Sequence, residues 1–470
     1  MRKLLFYGRE RFNLKKTVGE VVAVLDSSIH VDAFRDVVIT GVCFDTRQIK
    51  SGDLFVPFVG NVRDGHEFVG QAREMGAVAT FWQKNVPNPP TDFPVILVED
   101  TLLALQELAA KYIQQVKPKV IAITGSNGKT TTKDIMAAIV ETTYKVHYTG
   151  GNFNNHIGLP YTILTMPEDT EVAVLEMGMN HRHEIEVLSK IAKPDIAIIT
   201  NIGEAHIEYL GSREEIAKAK LEITAGLNPS GILIYPHEET LLLGNINGDF
   251  RQLTFGKSEA AEIYPLEIRA EAEGTSFITN WEPELEIFVP IIGEHNVFNT
   301  MAAMLAAREI GIEGEKIQSA LKNMERSKSR LEWITTKSGA RILNDAYNSS
   351  PTALKTVLKT FMHMDSSGKP KYLVLADMLE LGDLSTKLHQ ESAEVLENDT
   401  IQKVFLYGDA MKAFGEVAES KIGQGKVHHF DTKESLETAL LSEIKGNEWI
   451  LVKGSYGMGL KDVVENLIIK

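Results

Sequence analysis

Apolar residues fall in short runs along the chain, each closed by polar or turn-forming residues, and between the runs they recur at helical spacing. Between residues 117 and 328 the runs at 120–123, 172–175, 196–199 and 232–235 are rich in Ile and Val and do not alternate with polar residues. Such runs mark strands buried on both faces, as in a parallel sheet. Helical periodicity fills the gaps, over 213–227 and again over 297–310. The stretch 260–292 breaks the rhythm, and its β-branched and aromatic residues predict a small antiparallel insertion. A second alternating block follows residue 329, with strands expected at 341–343, 372–376, 404–407 and 449–452.

The first hundred residues read differently. Strand signals at 37–44 and 54–59 flank Ile49-Lys50-Ser51-Gly52-Asp53, which reads as a hairpin connection. A helix-like segment at 67–75 and a Pro-rich loop at 86–94 follow, and an amphipathic helix over 101–115 joins this unit to the next. The expected fold class is α/β in three domains. They are an α+β N-terminal domain (1–100), a central parallel-sheet domain (101–328) and a C-terminal Rossmann-like α/β domain (329–470).

Composition narrows the function. A chain of 470 residues, 43% hydrophobic and 24% charged, has the length and apolar content for three cores. Its net charge of −15 argues against nucleic acid and anionic membrane as partners, so anionic ligands need local positive sites. The single cysteine, Cys43, excludes an intrachain disulfide and fits a reducing cytoplasm. The apolar run at 4–7 is too short for a signal core, and no run approaches membrane-spanning length. A cytoplasmic monomer acting on small molecules, without membrane insertion, is expected.

The chemistry is set by residues 121–134. A strand run feeds Gly125-Ser126-Asn127-Gly128-Lys129-Thr130-Thr131, and an apolar-periodic helix follows. Strand, glycine loop and helix form a phosphate cradle: backbone N–H groups point at anionic oxygens, Lys129 adds a positive charge, and the Thr130 hydroxyl suits Mg²⁺. The loop is shorter than the common pattern, with two residues between Gly125 and Gly128. The central domain is thus expected to be a phosphate-loop unit.

Ligands of open α/β sheets bind at the carboxyl ends of strands. There the second strand ends in Glu176, and the third leads to Asn201 and a loop with His206. Each alone is more often structural, a cap or a hydrogen-bonded side chain; beside Lys129 they read as cation or phosphate ligands. On helix 213–227, Glu214, Lys218 and Glu222 form a solvated face, whereas Ile216, Lys220, Ile223 and Leu227 form the apolar stripe. Lys220 therefore either snorkels to the surface, finds an anion, or loses its charge. Asn296 reads as a helix N-cap. Asp345 and Asn348 follow a strand, and Ser350-Pro351 opens a helix. Gly454, Gly457 and Gly459 beside Lys453 read as a structural turn.

The chain resembles the Mur ligases, ATP-dependent amide-forming enzymes of peptidoglycan precursor synthesis. The short loop 125–131 carries the resemblance, together with the stretches 151–155, 176–180, 200–206, 344–348 and 377–382. Within the family, these stretches are similar to those of the member joining D-alanyl-D-alanine to UDP-N-acetylmuramoyl-tripeptide. The resemblance implies ATP and two Mg²⁺ ions. It implies nucleotide contacts from Gly125, Ser126, Asn127, Gly128, Lys129, Thr130, Thr131, Asn296, Arg330 and Asp345. It also implies cation ligands at Thr130, Glu176, His206 and a carbamylated Lys220, with Lys129, Glu176, His206, Lys220 and Arg330 as the catalytic set. Substrate contacts are implied at Thr46, Arg47, Asn154, Asn155 and Asn348, with Asp64-Gly65-His66 in the nucleotide-sugar region. A sister ligase adding the third stem residue or a glutamate to folate, a phosphate-loop NTPase without acceptor, and a non-catalytic nucleotide-binding module are the competing readings.

Overall fold

The computed structural model describes residues 14–60, 62–324 and 329–469. The apolar run at 4–7 and the expected domain limit at 328 lie outside them. Three large sheets follow one another along the chain.

The central sheet has six parallel strands in the order Arg251–Phe255, Ile232–Pro236, Ile196–Ile199, Lys119–Thr124, Val172–Glu176, Val146–Tyr148. All four strands expected here form. Their inner residues, from Ile121 to Ile234, are fully buried, as runs without alternation require. Register places the chemistry: Ile123 pairs with Glu176 on one side, and Thr124 with Ile199 on the other. The phosphate loop, Glu176 and Thr200 therefore leave the sheet at one edge. The chain departs from Lys119–Thr124 toward one side of the sheet and from Ile196–Ile199 toward the other, which opens a crevice between their carboxyl ends. The insertion is antiparallel as expected: Pro265–Ala270, Thr275–Thr279 and Ile287–Val289.

The C-terminal sheet runs Glu332–Thr335, Arg341–Asp345, Trp449–Lys453, Lys371–Ala376, Lys403–Tyr407, Val427–Phe430; only the first strand is antiparallel. The N-terminal sheet runs Ser28–Ile29, Val95–Val98, Ala79–Gln83, Asp53–Phe55, Gly41–Cys43. The hairpin expected through Ile49–Asp53 does not form, because Gly41–Cys43 and Asp53–Phe55 are parallel. Asp45 caps a 3₁₀ turn at Thr46–Gln48, and the Asp53 carboxylate accepts the Lys50 N–H at 2.8 Å. These local bonds carry the chain back to start a second strand in the same direction.

The helix Thr101–Val116 is capped by Asp100, whose carboxylate accepts the Leu103 N–H. Its stripe of Leu105, Leu108, Ala109 and Tyr112 is buried, and the Tyr112 hydroxyl donates to Met166 O at 2.7 Å. Each such leucine contributes about 2 kcal/mol by burial. One continuous core extends through this helix from the N-terminal sheet into the central one. Among the described residues no helix is long and apolar enough to cross a membrane.

Candidate active site

The loop after Lys119–Thr124 turns on two glycines. Gly125 has φ +149°, and a Cβ there would collide with Thr200 Oγ1; Gly128 has φ +81° and lies against Asn299. The loop is tied to the neighbouring strand end: Ser126 N donates to Asn201 O (3.0 Å), Asn127 N to Asn201 Oδ1 (3.0 Å), and Asn201 Nδ2 to Asn127 O (2.9 Å). No side chain caps the helix Lys129–Glu141 that follows. Its first turn, with Ser126 and Asn127, lines a cavity of about 700 Å³ between the central and C-terminal domains. Lys129 folds across the loop, its Nζ donating to Gly125 O at 2.8 Å. Burial pushes its ammonium down, Glu176 opposes this, and Arg330 adds to it. The side-chain amide Nδ2 of Asn127 is buried without a partner among the described residues, an open donor at the loop.

Glu176 sits at the floor, almost wholly buried. Oε2 accepts from Thr130 Oγ1 (2.8 Å) and Oε1 from Asn154 Nδ2 (2.7 Å). His206 follows the next strand in a left-handed conformation, φ +65°. Its Nδ1 lies 2.6 Å from Glu380 Oε2 of the C-terminal domain. Burial lowers the His206 imidazole, and the Glu380 bond works against that. Lys220 is 1% exposed, so it does not snorkel. Burial, then the like charge of Lys129, drives its ammonium well below the ordinary lysine range; Glu222, Glu176 and Glu184 act on it in the opposite sense. Helix Arg213–Leu221 ends earlier than expected, in a 3₁₀ turn. Glu222 is not on a solvated face: its carboxylate accepts from Arg182 Nε at 3.0 Å and its side chain is 9% exposed.

Of the four expected cation ligands, Thr130 and Glu176 are in contact, His206 lines the same cavity, and Lys220 lies behind the wall within electrostatic reach of Glu176 and Lys129. Among the described residues no three His, Cys, Asp or Glu side chains form a metal cage. The hydroxyl of Thr130 and the carboxylate of Glu176 are oxygen donors of the kind Mg²⁺ takes beside water and phosphate oxygens.

The opposite wall comes from helix Glu294–Glu309. Asn296 lies inside this helix rather than at its N-cap, which is Gly293. Its Nδ2 donates to Ile292 O (2.9 Å) and to His295 Nε2 (3.1 Å), and its Oδ1 accepts from Asn299 (3.0 Å). His295 Nδ1 is buried without a partner among the described residues, and burial holds the imidazole down to about 4. The C-terminal domain closes the cavity with Arg330, whose guanidinium lies 4.1 Å over the Tyr347 ring, and with Asp345. Lys453 neutralises Asp345 at 2.5 Å and donates to Asn348 O at 2.8 Å, so it is more than the turn lysine expected from its glycines.

Other expected residues sit apart. Asn155 lines the cavity, but its Oδ1 accepts from Ile157 N and Gly158 N, which starts the helix Gly158–Leu164. Thr46 and Arg47 do not line the cavity; Arg47 is paired with Asp45 at 2.8 Å and its side chain is 85% exposed. Both ring nitrogens of His66 are used inside the fold, by Asp64 and by Gln83 N. Sequence reading gave no role to His295, to Glu380, or to Glu204, which accepts from Thr352 Oγ1 at 2.6 Å across the domains.

Comparison with known proteins agrees with this geometry. Three family models match in succession: "Mur ligase family, catalytic domain" over residues 38–113, "Mur ligase middle domain" over 123–307 and "Mur ligase, glutamate ligase domain" over 329–456. The UDP-N-acetylmuramoyl-tripeptide–D-alanyl-D-alanine ligase of Bacillus subtilis (strain 168) is 45% identical over 455 residues, covering 97% of this chain and 99% of that one. The chain belongs to the Mur ligase family. Among solved Mur ligases, MurF from Acinetobacter baumannii superposes with a TM-score of 0.86 at 28% identity, covering 97% of this chain and 99% of that one. MurF from Thermotoga maritima, solved in complex with ADP, gives 0.78 at 26% identity over 90% and 96% of the two chains. The Mur ligase order of domains is that of the three sheets here, and the central cavity lies where the middle and C-terminal models meet.

Proposed function

We propose that this chain joins D-alanyl-D-alanine to UDP-N-acetylmuramoyl-tripeptide, consuming ATP and releasing ADP and phosphate, in peptidoglycan precursor synthesis. The observation that carries the reading is the chain Asn154–Glu176–Thr130 beside the glycine loop, in a protein that matches a ligase of this activity over nearly its whole length. ATP is the phosphoryl donor. The N–H groups of 126–131 and Lys129 hold its β- and γ-phosphates, and His295, Asn296 and Asp345 take the nucleoside end.

Thr130, Glu176, His206 and a carbamate on Lys220 are the residues that would hold two Mg²⁺ ions. When bound, these ions neutralise the triphosphate and polarise the γ-phosphoryl group. Lysine carbamates form from the neutral amine and CO₂ with loss of a proton, and the burial of Lys220 favours that neutral amine.

The substrate carboxylate attacks the γ-phosphorus as the bond to the β-phosphate oxygen breaks, giving an acyl phosphate and ADP. Lys129 and Arg330 stabilise the charge that spreads over the transferring oxygens. The amine of D-alanyl-D-alanine then attacks the acyl carbon, loses its proton, and phosphate leaves. Water would hydrolyse the acyl phosphate, so the C-terminal domain over the cavity protects it. Use of cellular ATP and the buried thiol of Cys43 favour the cytoplasm. The test is mass detection of the joined product from the UDP-tripeptide, D-alanyl-D-alanine and ATP. ATP hydrolysis indifferent to both carbon substrates, or product only with a free amino acid as acceptor, would refute this assignment.

A further inference from the structure

The hook at residues 377–382 is held by a set of hydrogen bonds to the rest of the C-terminal domain. Met378 N donates to His389 Nε2 (3.0 Å), and Leu379 N donates to Ser455 Oγ (2.9 Å). The Asp377 carboxylate accepts from Met411 N (2.8 Å) and Ala410 N (3.3 Å). His389 Nδ1 is bonded to Ser385 O at 2.8 Å, which leaves Nε2 as the acceptor. From this frame Glu380 projects toward the central domain in a left-handed conformation, φ +62°. It meets His206, also left-handed at φ +65°. Carboxylate and imidazole are 2.6 Å apart, and Glu208 N donates to Glu380 O at 3.1 Å beside them. Two facing residues in sparsely populated conformations, each over-determined by its surroundings, are the pattern found where geometry serves function.

We propose that Glu380 is a positioning residue for the cation site. Docked, its carboxylate accepts the Nδ1–H of His206, fixes that tautomer, and leaves the Nε2 lone pair free to bind a divalent cation. The site is then complete only when the C-terminal domain is in place. A carboxylate behind a histidine ligand sets ring orientation and raises ligand basicity. Because one contact serves both events, cation binding favours closure and closure favours cation binding by the same factor. The inference rests on the reading of His206 as a cation ligand.

The test measures Mn²⁺ binding by electron paramagnetic resonance on the full chain with ADP, together with the Mg²⁺ dependence of turnover. Glu380→Ala is expected to weaken Mn²⁺ about 10–100-fold and to raise the half-saturating Mg²⁺ by a similar factor, with kcat largely regained at high Mg²⁺. Glu380→Gln, whose amide oxygen still accepts the Nδ1–H, is expected to recover most of that affinity. A contact that merely held the domains together would leave the half-saturating Mg²⁺ unmoved in Glu380→Ala. His206→Ala separates the two levels of the argument. If His206→Ala weakens Mn²⁺ and neither Glu380 variant does, the positioning role is overturned while the ligand reading stands. If His206→Ala binds Mn²⁺ like the parent protein, His206 is not a ligand and both fall.

Discussion

Lys220 is the residue whose surroundings most oppose its ordinary charge. It is buried, faces the like charge of Lys129, and feels carboxylates only through space. The proposed conversion to a carbamate would remove the cation and supply oxygens to the proposed cation site. Lys220→Ala is expected to lower product formation about 10²–10³-fold, with partial rescue by added short carboxylic acids. Nuclear magnetic resonance with isotope-labelled bicarbonate should show a carbamate signal that the variant lacks; full activity of the variant without added acids would end this account. His295 makes a pH prediction. An unfolded histidine titrates near 6.5, whereas the fold holds this one down to about 4. Between those values the unfolded chain binds a proton that the folded chain does not. The stabilisation is therefore complete above about pH 6.5 and declines as pH falls toward about 4. Urea denaturation across that window should give a shallower decline for His295→Gln than for the parent.

At the scale of elements, the loop 377–382 stands out because Asp377 does the work of a helix cap from outside the helix. Its carboxylate takes the first N–H groups of helix Met411–Ile422, and Gly408 (φ +107°) leaves room for it, since a Cβ there would strike that carboxylate. Asp377→Ala is expected to cost about 1–3 kcal/mol in urea denaturation, because the N–H groups of buried Met411 and half-buried Ala410 lose a carboxylate acceptor. A change within about 0.5 kcal/mol would show that water replaces it. Legibility follows burial and locality. The inner strands were readable because both faces are buried, leaving uninterrupted Ile and Val. The edge strands Val146–Tyr148 and Arg251–Phe255 carry half-exposed residues and no apolar run, so periodicity passed over them. The parallel return through Ile49–Asp53 was misread because turn residues of a hairpin and of a 3₁₀ connection are the same kinds. Gly125 to Thr131 and Glu176 were readable from local context. The Asp345–Lys453 and His206–Glu380 pairs join residues 108 and 174 positions apart, and nothing local announces a partner at that distance.

Across the whole molecule, the C-terminal domain meets the central one at several polar points around the cavity. Thr352 N and Oγ1 donate to Glu204 Oε2, Ser350 Oγ donates to Asn127 Oδ1 at 3.1 Å, and Arg341 pairs with Glu273 at 2.5 Å. Ser350 thus stands at the start of helix Pro351–His363 yet gives its hydroxyl to the phosphate loop rather than to its own helix. These contacts are charged or hydroxylic, and they stand beside apolar residues of the C-terminal domain, Leu354 and Val357 among them, that belong to the same continuous core as the central sheet. Glu204→Ala is expected to lower kcat several-fold and to enlarge the radius of gyration in small-angle scattering with ADP bound, while urea stability changes by about 1 kcal/mol or less. An unchanged scattering profile and turnover would show that Thr352 adds nothing to docking.

The helix Thr101–Val116 joins its two neighbours through apolar packing. Its leucines belong to both neighbouring cores, and the Tyr112 hydroxyl bolts it to Met166. That packing predicts that the span from the N-terminal sheet to the glycine loop keeps its length through a catalytic cycle. With the proposed UDP-sugar on the N-terminal sheet and the proposed ATP at the glycine loop, a compound tethering a uridine group to an adenine nucleotide should have one best spacer length, and a spacer a few atoms too short or too long should forfeit the advantage of being joined.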